Sequence, residues 1–258
     1  MADSIPETNQ GLYRAGQVRE LDRMAIETYQ IPGLDLMERA GKAAWECLQT
    51  SWPDAKNIVV ICGAGNNAGD GYVIGRLALE HGCNVELIAL AEPVALKGDA
   101  RQAAEKFMAN GQPLIPYSGQ QAIVTDVIVD AVLGTGIDRE VAGDYLAAIT
   151  SINNSDAPVL SVDIPSGLNA DTGKVMGAGV KADLTITFIG RKQGLYTGDG
   201  REHTGKLVFS DLGIPAEIHD AIKPASTLIS MAQASGLLSK RKRSGHKGDY
   251  GHVLVVGG

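Results

Sequence analysis

Apolar residues along this chain keep two periods. Ile58-Val59-Val60-Ile61, Val127-Ile128-Val129, the segment 158–162 and the segment 184–189 are near-continuous runs rich in β-branched residues. Such runs predict strands buried on both faces, as in a parallel sheet. The stretches 84–90, 114–115 and 207–211 read as further strands. Elsewhere the spacing changes to three and four residues. Val18, Leu21, Met24, Ala25 and Tyr29 predict a helix over 17–29, and Leu36, Met37, Ala40, Ala44, Trp45 and Leu48 predict one over 34–52. Val73, Ile74, Leu77 and Ala78 continue the pattern after the first strand, and 99–110 and 145–152 read as two more helices.

Strands alternating with helices predict an α/β fold: a three-layer α/β/α Rossmann-like, mostly parallel sheet with N-terminal helices. Ligands of such sheets sit above the carboxyl ends of the strands, near the switch in strand order. The polar residues at strand ends are therefore the candidates, and three sets should converge on one rim. The first is Asn66, Asn67 and Asp70 in GAGNNAGDG, residues 63–71; the second is Asp130 with the turn Gly134-Thr135-Gly136; the third is Asp163 with Ser166 in VDIPSGL.

A glycine-rich turn opening a helix suits a phosphate, because free N–H groups and the positive end of the helix dipole face the guest. Two carboxamides and a carboxylate add acceptors for a hydroxyl, a ribose or a cation; the competing account is that they only cap the helix. Asp130 lies inside an apolar run, where an unpaired carboxylate costs several kcal/mol, so it needs a cation or several donors. Backbone N–H groups from a neighbouring turn would also serve. Arg139 is a candidate phosphate partner, Tyr145 reads equally as a core aromatic, and Lys192 sits in a glycine-flanked loop where solvation is the plain alternative. The Met and Trp positions of the second helix fit a core as well as a ligand wall.

Composition narrows the class. The chain has 258 residues, 44% hydrophobic and 21% charged, enough for a proper core. A net charge of −7 argues against nucleic-acid binding. Three cysteines with neither CxxC spacing nor a nearby His cluster indicate no disulfide framework and no zinc site. The polar opening MADSIPETNQ lacks a leader pattern, and no apolar run approaches the ~18–20 residues that cross a bilayer. A soluble, cytoplasmic protein without a membrane partner is expected.

GAGNNAGDG, VDAVLGTG, VDIPSGLNADTG and GRKQGL occur in that order within roughly residues 17–214. Together they resemble the NAD(P)H-hydrate epimerase family, the YjeF N-terminal domain. That family usually carries GxGNNGGDG, and Ala68 stands where its first paired glycine would be. The resemblance implies an isomerase that equilibrates the R and S forms of the small molecules NADHX and NADPHX at nicotinamide ring C6, in cofactor repair. It implies dinucleotide contacts from Asn66, Asn67, Ala68, Gly69 and Asp70, from Gly134, Thr135, Gly136, Ile137, Asp138, Arg139 and Glu140, and from Tyr145 and Asp163. It further implies one K⁺ per subunit held by Asn67, Asp130 and Ser166, and a catalytic pair of Asp163 and Lys192. A homodimer is left open.

Past Pro215 the chain passes through a polar helix to a basic run, 239–243, that reads as a solvated linker. HKGDYGHVLVVGG, residues 246–258, resembles the opening of the ADP-dependent NAD(P)H-hydrate dehydratase domain, a ribokinase-like fold. The expected division is thus an epimerase domain over 1–218, then a linker and the first strand of a truncated dehydratase domain over 219–258. The natural protein would then carry a fused dehydratase domain, while this chain, without that domain's nucleotide and catalytic motifs, would not dehydrate.

Two competing functions remain. A Rossmann-type NAD(P)-dependent oxidoreductase would use Gly63, Gly65 and Ala68, but the acidic residue expected at the end of the second strand is replaced by Leu90-Ala91, with Glu92 beyond. A non-catalytic nucleotide-binding scaffold is opposed by the joint presence of Asn67, Asp130, Asp163 and Lys192.

Overall fold

Each apolar run forms a strand, and the strands pair in parallel. The computed structural model describes residues 10–119 and 122–236; the expectations for residues 1–9, for the basic run and for HKGDYGHVLVVGG lie outside them. The chain divides into a unit over 11–226 and a second unit of 1–10 with 227–258. In the second, the described residues include the short helix Met231–Gly236.

The larger unit opens with β1 (Gly11–Tyr13), α1 (Ala15–Glu27) and α2 (Gly33–Ser51). Then follow β2 (Asn57–Cys62), α3 (Asn66–Glu80), β3 (Asn84–Ala89), α4 (Gly98–Ala109), β4 (Ile115–Pro116), β5 (Val127–Ala131), α5 (Gly143–Asn153) and β6 (Val159–Val162). β7 (Leu184–Phe188), β8 (Arg191–Lys192), α6 (Gly200–Thr204), β9 (Lys206–Ser210) and α7 (Ala216–Ala221) complete it. The main sheet has seven strands in the order β4-β3-β2-β5-β6-β7-β9, all parallel. The order turns back between β2 and β5, so the switch point lies where the first two candidate loops begin.

Alternation along the strands feeds two cores. Ile58, Val60 and Cys62 of β2 pack in the layer with α1 to α4, together with Ala44, Val73, Ile74 and Phe107. Val59 and Ile61 face the other way, onto Ile149 and Ile152 of α5. No helix among the described residues is long and apolar enough to cross a membrane.

Two details differ from the sequence expectation. Lys192 is not in a solvated loop: it lies in β8, which pairs with β1 so that Tyr13 stands opposite Lys192, and it is only 1% exposed. Strands of two and three residues carry no period, which is why neither β1 nor β8 was visible. The polar helix past Pro215 is the six-residue α7 within the described residues.

Candidate active site

A cleft of about 880 Å³ opens above the strand tips at the switch point. Its first wall is the turn after β2. A Cβ on Gly63 would sit 1.9 Å from the Val132 carbonyl oxygen at the tip of β5, so only glycine lets these two strand ends approach. α3 starts immediately after, and Gly65, Asn66, Asn67 and Asp70 line the cleft at its N-terminus. Ala68 and Gly69 turn inward instead. Both are buried, and a Cβ on Gly69 would lie 2.5 Å from the Met37 side chain. Met37 thus serves both core and cleft, while Trp45 is buried in the core away from the cleft.

Under the rim, Asp130 is fully buried on β5. Oδ2 accepts from Ser161 Oγ at 2.7 Å and from Ser166 N–H at 2.9 Å, while Oδ1 accepts from Ser166 Oγ at 2.5 Å and from Val132 N–H at 3.3 Å. Burial pushes this carboxyl up, and those four donors hold it down. Ser161, which faces Asp130 across the β5–β6 register, escaped the sequence reading because a serine inside an apolar strand shows no pattern. The network continues outward: Ser166 Oγ accepts from Leu133 N–H at 2.7 Å, and Asn67 Nδ2 donates to the Leu133 carbonyl at 3.1 Å. Asn67, Asp130 and Ser166 therefore belong to one connected cluster.

Asn67 Oδ1 is buried and has no hydrogen-bond partner, which is costly unless a further group meets it. Among the described residues no group of three or more His, Cys, Asp or Glu side chains could hold a metal. This cluster offers instead neutral oxygens around a single carboxylate, a donor set that fits a hard, weakly held cation.

The pair expected to be catalytic, Asp163 and Lys192, is arranged by the next two strand tips. After β6, Asp163 adopts φ +67°, and Ile164 N–H reaches back to the Val162 carbonyl at 2.8 Å. After β7, Ile189 adopts φ +62°, and Gly190 N–H reaches back to the Phe188 carbonyl at 2.6 Å. These are two γ-turns side by side, each with a non-glycine residue at positive φ, a strained conformation for β-branched Ile189 above all. They aim Asp163 across at β8. Lys192 Nζ ion-pairs with Asp163 Oδ1 and donates to the Phe188 carbonyl at 2.9 Å, and Phe188 N–H donates to Asp163 Oδ1 at 3.2 Å.

Two more carboxylates share this end of the cleft: Asp70 from α3 and Asp22 from α1. Three acids thus share this end of the cleft with one ammonium, and among the described residues Asp163 is the one that ion-pairs with it. Burial pushes Asp70 well above the usual carboxylate range, with Asp163 and Asp22 adding and Lys192 opposing. Burial pushes Asp22 up to about 6, with Lys192 opposing and Asp163 adding. Asp22 was missed because a lone charged residue on an amphipathic helix reads as a solvent position.

The far end of the cleft is built from Gly134 to Glu140, with Asp138, Arg139 and Glu140 exposed at the rim, and from Tyr145 on α5. Burial raises the Tyr145 hydroxyl above its ordinary range. All the dinucleotide-contact candidates except Ala68 and Gly69 line this one cleft.

Comparison with known proteins follows the same outline. Residues 33–194 match the family described as the YjeF-related protein N-terminus. The bifunctional NAD(P)H-hydrate repair enzyme of Coxiella burnetii is 44% identical over 96% of this chain and 50% of its own length. The NAD(P)H-hydrate epimerase of Limosilactobacillus fermentum is 40% identical over 76% of this chain and 94% of its own length. The crystal structure of yeast ynu0 superposes with a TM-score of 0.69 at 18% identity, covering 86% of this chain and 98% of that one, a likeness of fold. The chain spans about half the length of the bifunctional relatives it matches.

Proposed function

The chain belongs to the family of the YjeF-related protein N-terminus, and on that premise we propose that it is an isomerase equilibrating the R and S forms of hydrated NADH and NADPH in cofactor repair. The observation that carries this reading is the ion pair of buried Lys192 with half-buried Asp163, aimed into a strand-tip cleft by two strained turns.

The substrate bears a hydroxyl on ring C6, beside the ring nitrogen. Once that hydroxyl is protonated, the nitrogen lone pair expels it as water and leaves an iminium ion; water returns on either face and surrenders a proton. Asp163 is the acid/base group, Lys192 holds its charge and shares its proton, and such transfer is worth roughly 10²–10⁴-fold in rate. The Asp163 carboxylate stabilises the cationic ring. The turn into α3, with Asn66, Asn67 and Asp70, receives the diphosphate, with Arg139 at the rim, and the residues from Gly134 to Glu140 with Tyr145 receive the rest of the dinucleotide.

Asn67, Asp130 and Ser166 would hold one K⁺ per subunit, supported by the partnerless Asn67 Oδ1; when bound, the ion supplies positive charge that steadies the rim beside the buried Asp130. We further propose a cytoplasmic setting, supported by three free cysteines, and a natural protein in which residues 219–258 lead into a fused dehydratase domain, as in the bifunctional relatives.

Chromatography of purified R-NADHX over time tests the reading. The chain should speed equilibration with the S form, and Asp163→Asn should remove the acceleration while keeping dinucleotide binding. Equilibration no faster than in buffer overturns it.

A further inference from the structure

We propose that Asp22 is a second acid/base residue of the cleft, serving the ring-C6 hydroxyl from the α1 wall while Asp163 serves it from the strand tips. This rests on the epimerase reading and deepens it.

Asp22 lines the cleft one helical turn from Val18 and one from Ile26, in an otherwise apolar stripe. It makes no hydrogen bond or ion pair among the described residues, unlike Asp130 and Asp163. Its position is held by the fold. β1, just before α1, pairs with β8 so that Tyr13 stands opposite Lys192. A Cβ on Gly190 would lie 3.1 Å from Leu21 and 3.2 Å from Val18, so α1 packs directly on the turn that carries Ile189. The charged groups facing Asp22 are Lys192, Asp163 and Asp70, with Arg19 on its own helix and Asp99, Asp138, Arg139 and Glu140 around the cleft.

The reaction supplies the reason for a second acid. Inversion at C6 removes the hydroxyl from one face of the ring and adds water to the other, and a carboxyl on one wall serves only the face turned to it. In one direction, the Asp22 carboxyl gives its proton to the hydroxyl oxygen. The C6–O bond breaks with its electron pair going to oxygen, the nitrogen lone pair becomes the C=N bond, and water departs. A second water then bonds to C6 from the Asp163 side, the π pair returns to nitrogen, and the surplus proton passes to the Asp163 carboxylate. Exchange with solvent water in the open cleft, which returns a proton to Asp22 and takes one from Asp163, restores the start; the opposite epimer runs the steps in reverse. The raised affinity of Asp22 for its proton, with half-loss at pH about 6, suits this duty.

The test compares the full chain with Asp22→Asn and Asp22→Glu on R-NADHX across acid to mildly basic pH, subtracting the uncatalysed rate. In the unaltered chain kcat/KM should fall as pH rises through about 6. Asp22→Asn should lose about 10²-fold at acid pH together with that limb, while Asp22→Glu keeps the limb. The Tm of Asp22→Asn should match that of the unaltered chain at acid pH, where the loss is read, and exceed it above the limb, so misfolding cannot produce the loss. An active chain whose Asp22→Asn variant keeps both rate and limb, or whose Asp22→Glu variant is no better than Asp22→Asn, overturns the role of Asp22 alone. An inactive unaltered chain overturns the epimerase reading and the role of Asp22 with it.

Discussion

The two sides of the cleft are built on opposite principles. Around Asp130 four donors serve one carboxylate, and a glycine is set where a Cβ would strike backbone. Around Lys192 two residues are held at positive φ, and Asp22 and Asp70 keep their protons far above the usual carboxylate range. The first side is satisfied at its carboxylate and leaves one buried oxygen, Asn67 Oδ1, without a partner, which suits holding a ligand. The second keeps charge unbalanced and backbone strained, as sites that move protons do.

The contrast is broken most sharply by changing the reactive side. Asp163→Asn should lower the epimerisation rate by roughly 10²–10⁴-fold with little loss of stability, since Asn also tolerates a left-handed backbone. Asp130→Ala should act on stability. It leaves two hydroxyls and two N–H groups without their acceptor and should cost about 3–5 kcal/mol in denaturant unfolding, a far larger loss of stability than Asp163→Asn gives.

A smaller effect sharpens the contrast through pH. Asp22 binds its proton more tightly in the folded chain than its ordinary value would give, so its contribution is complete at acid pH and is lost as pH rises through about 6. Asp22→Asn should therefore raise stability at mildly basic pH by about 1–2 kcal/mol, the discounted value for a half-buried group. Smallest is the cation. Exchanging K⁺ for a bulky organic cation should lower stability by about 1 kcal/mol through lost native-state binding, and Asn67→Ala should erase the difference.

Much of the holding side was legible from the chain. Apolar runs fixed β2, β5 and β6 as buried parallel strands, and a sheet of that kind puts Asn67, Asp130 and Ser166 on one rim. The reactive side was only half legible. Asp163 was placed on the rim by its position at a strand end, but its pairing with Lys192 came only from motif resemblance, because neither the positive φ of Asp163 nor the two-residue β8 leaves a periodic trace. Asp22 needed the fold itself: only the pairing of β1 with β8 and the seat of α1 on Gly190 turn an ordinary helical acid toward Lys192. Ser161 was hidden by its apolar neighbours, although its hydroxyl is one of the bonds that make a buried Asp130 tolerable.

The most direct measurement follows oxygen. R-NADHX is equilibrated in ¹⁸O-labelled water with the unaltered chain and with Asp163→Asn, and label and epimer ratio are read together by chromatography and mass spectrometry. The account predicts that label enters the ring hydroxyl in step with epimerisation, and that both fall to the buffer rate in Asp163→Asn. Epimerisation without label, or an Asp163→Asn chain as fast as the unaltered one, would contradict it.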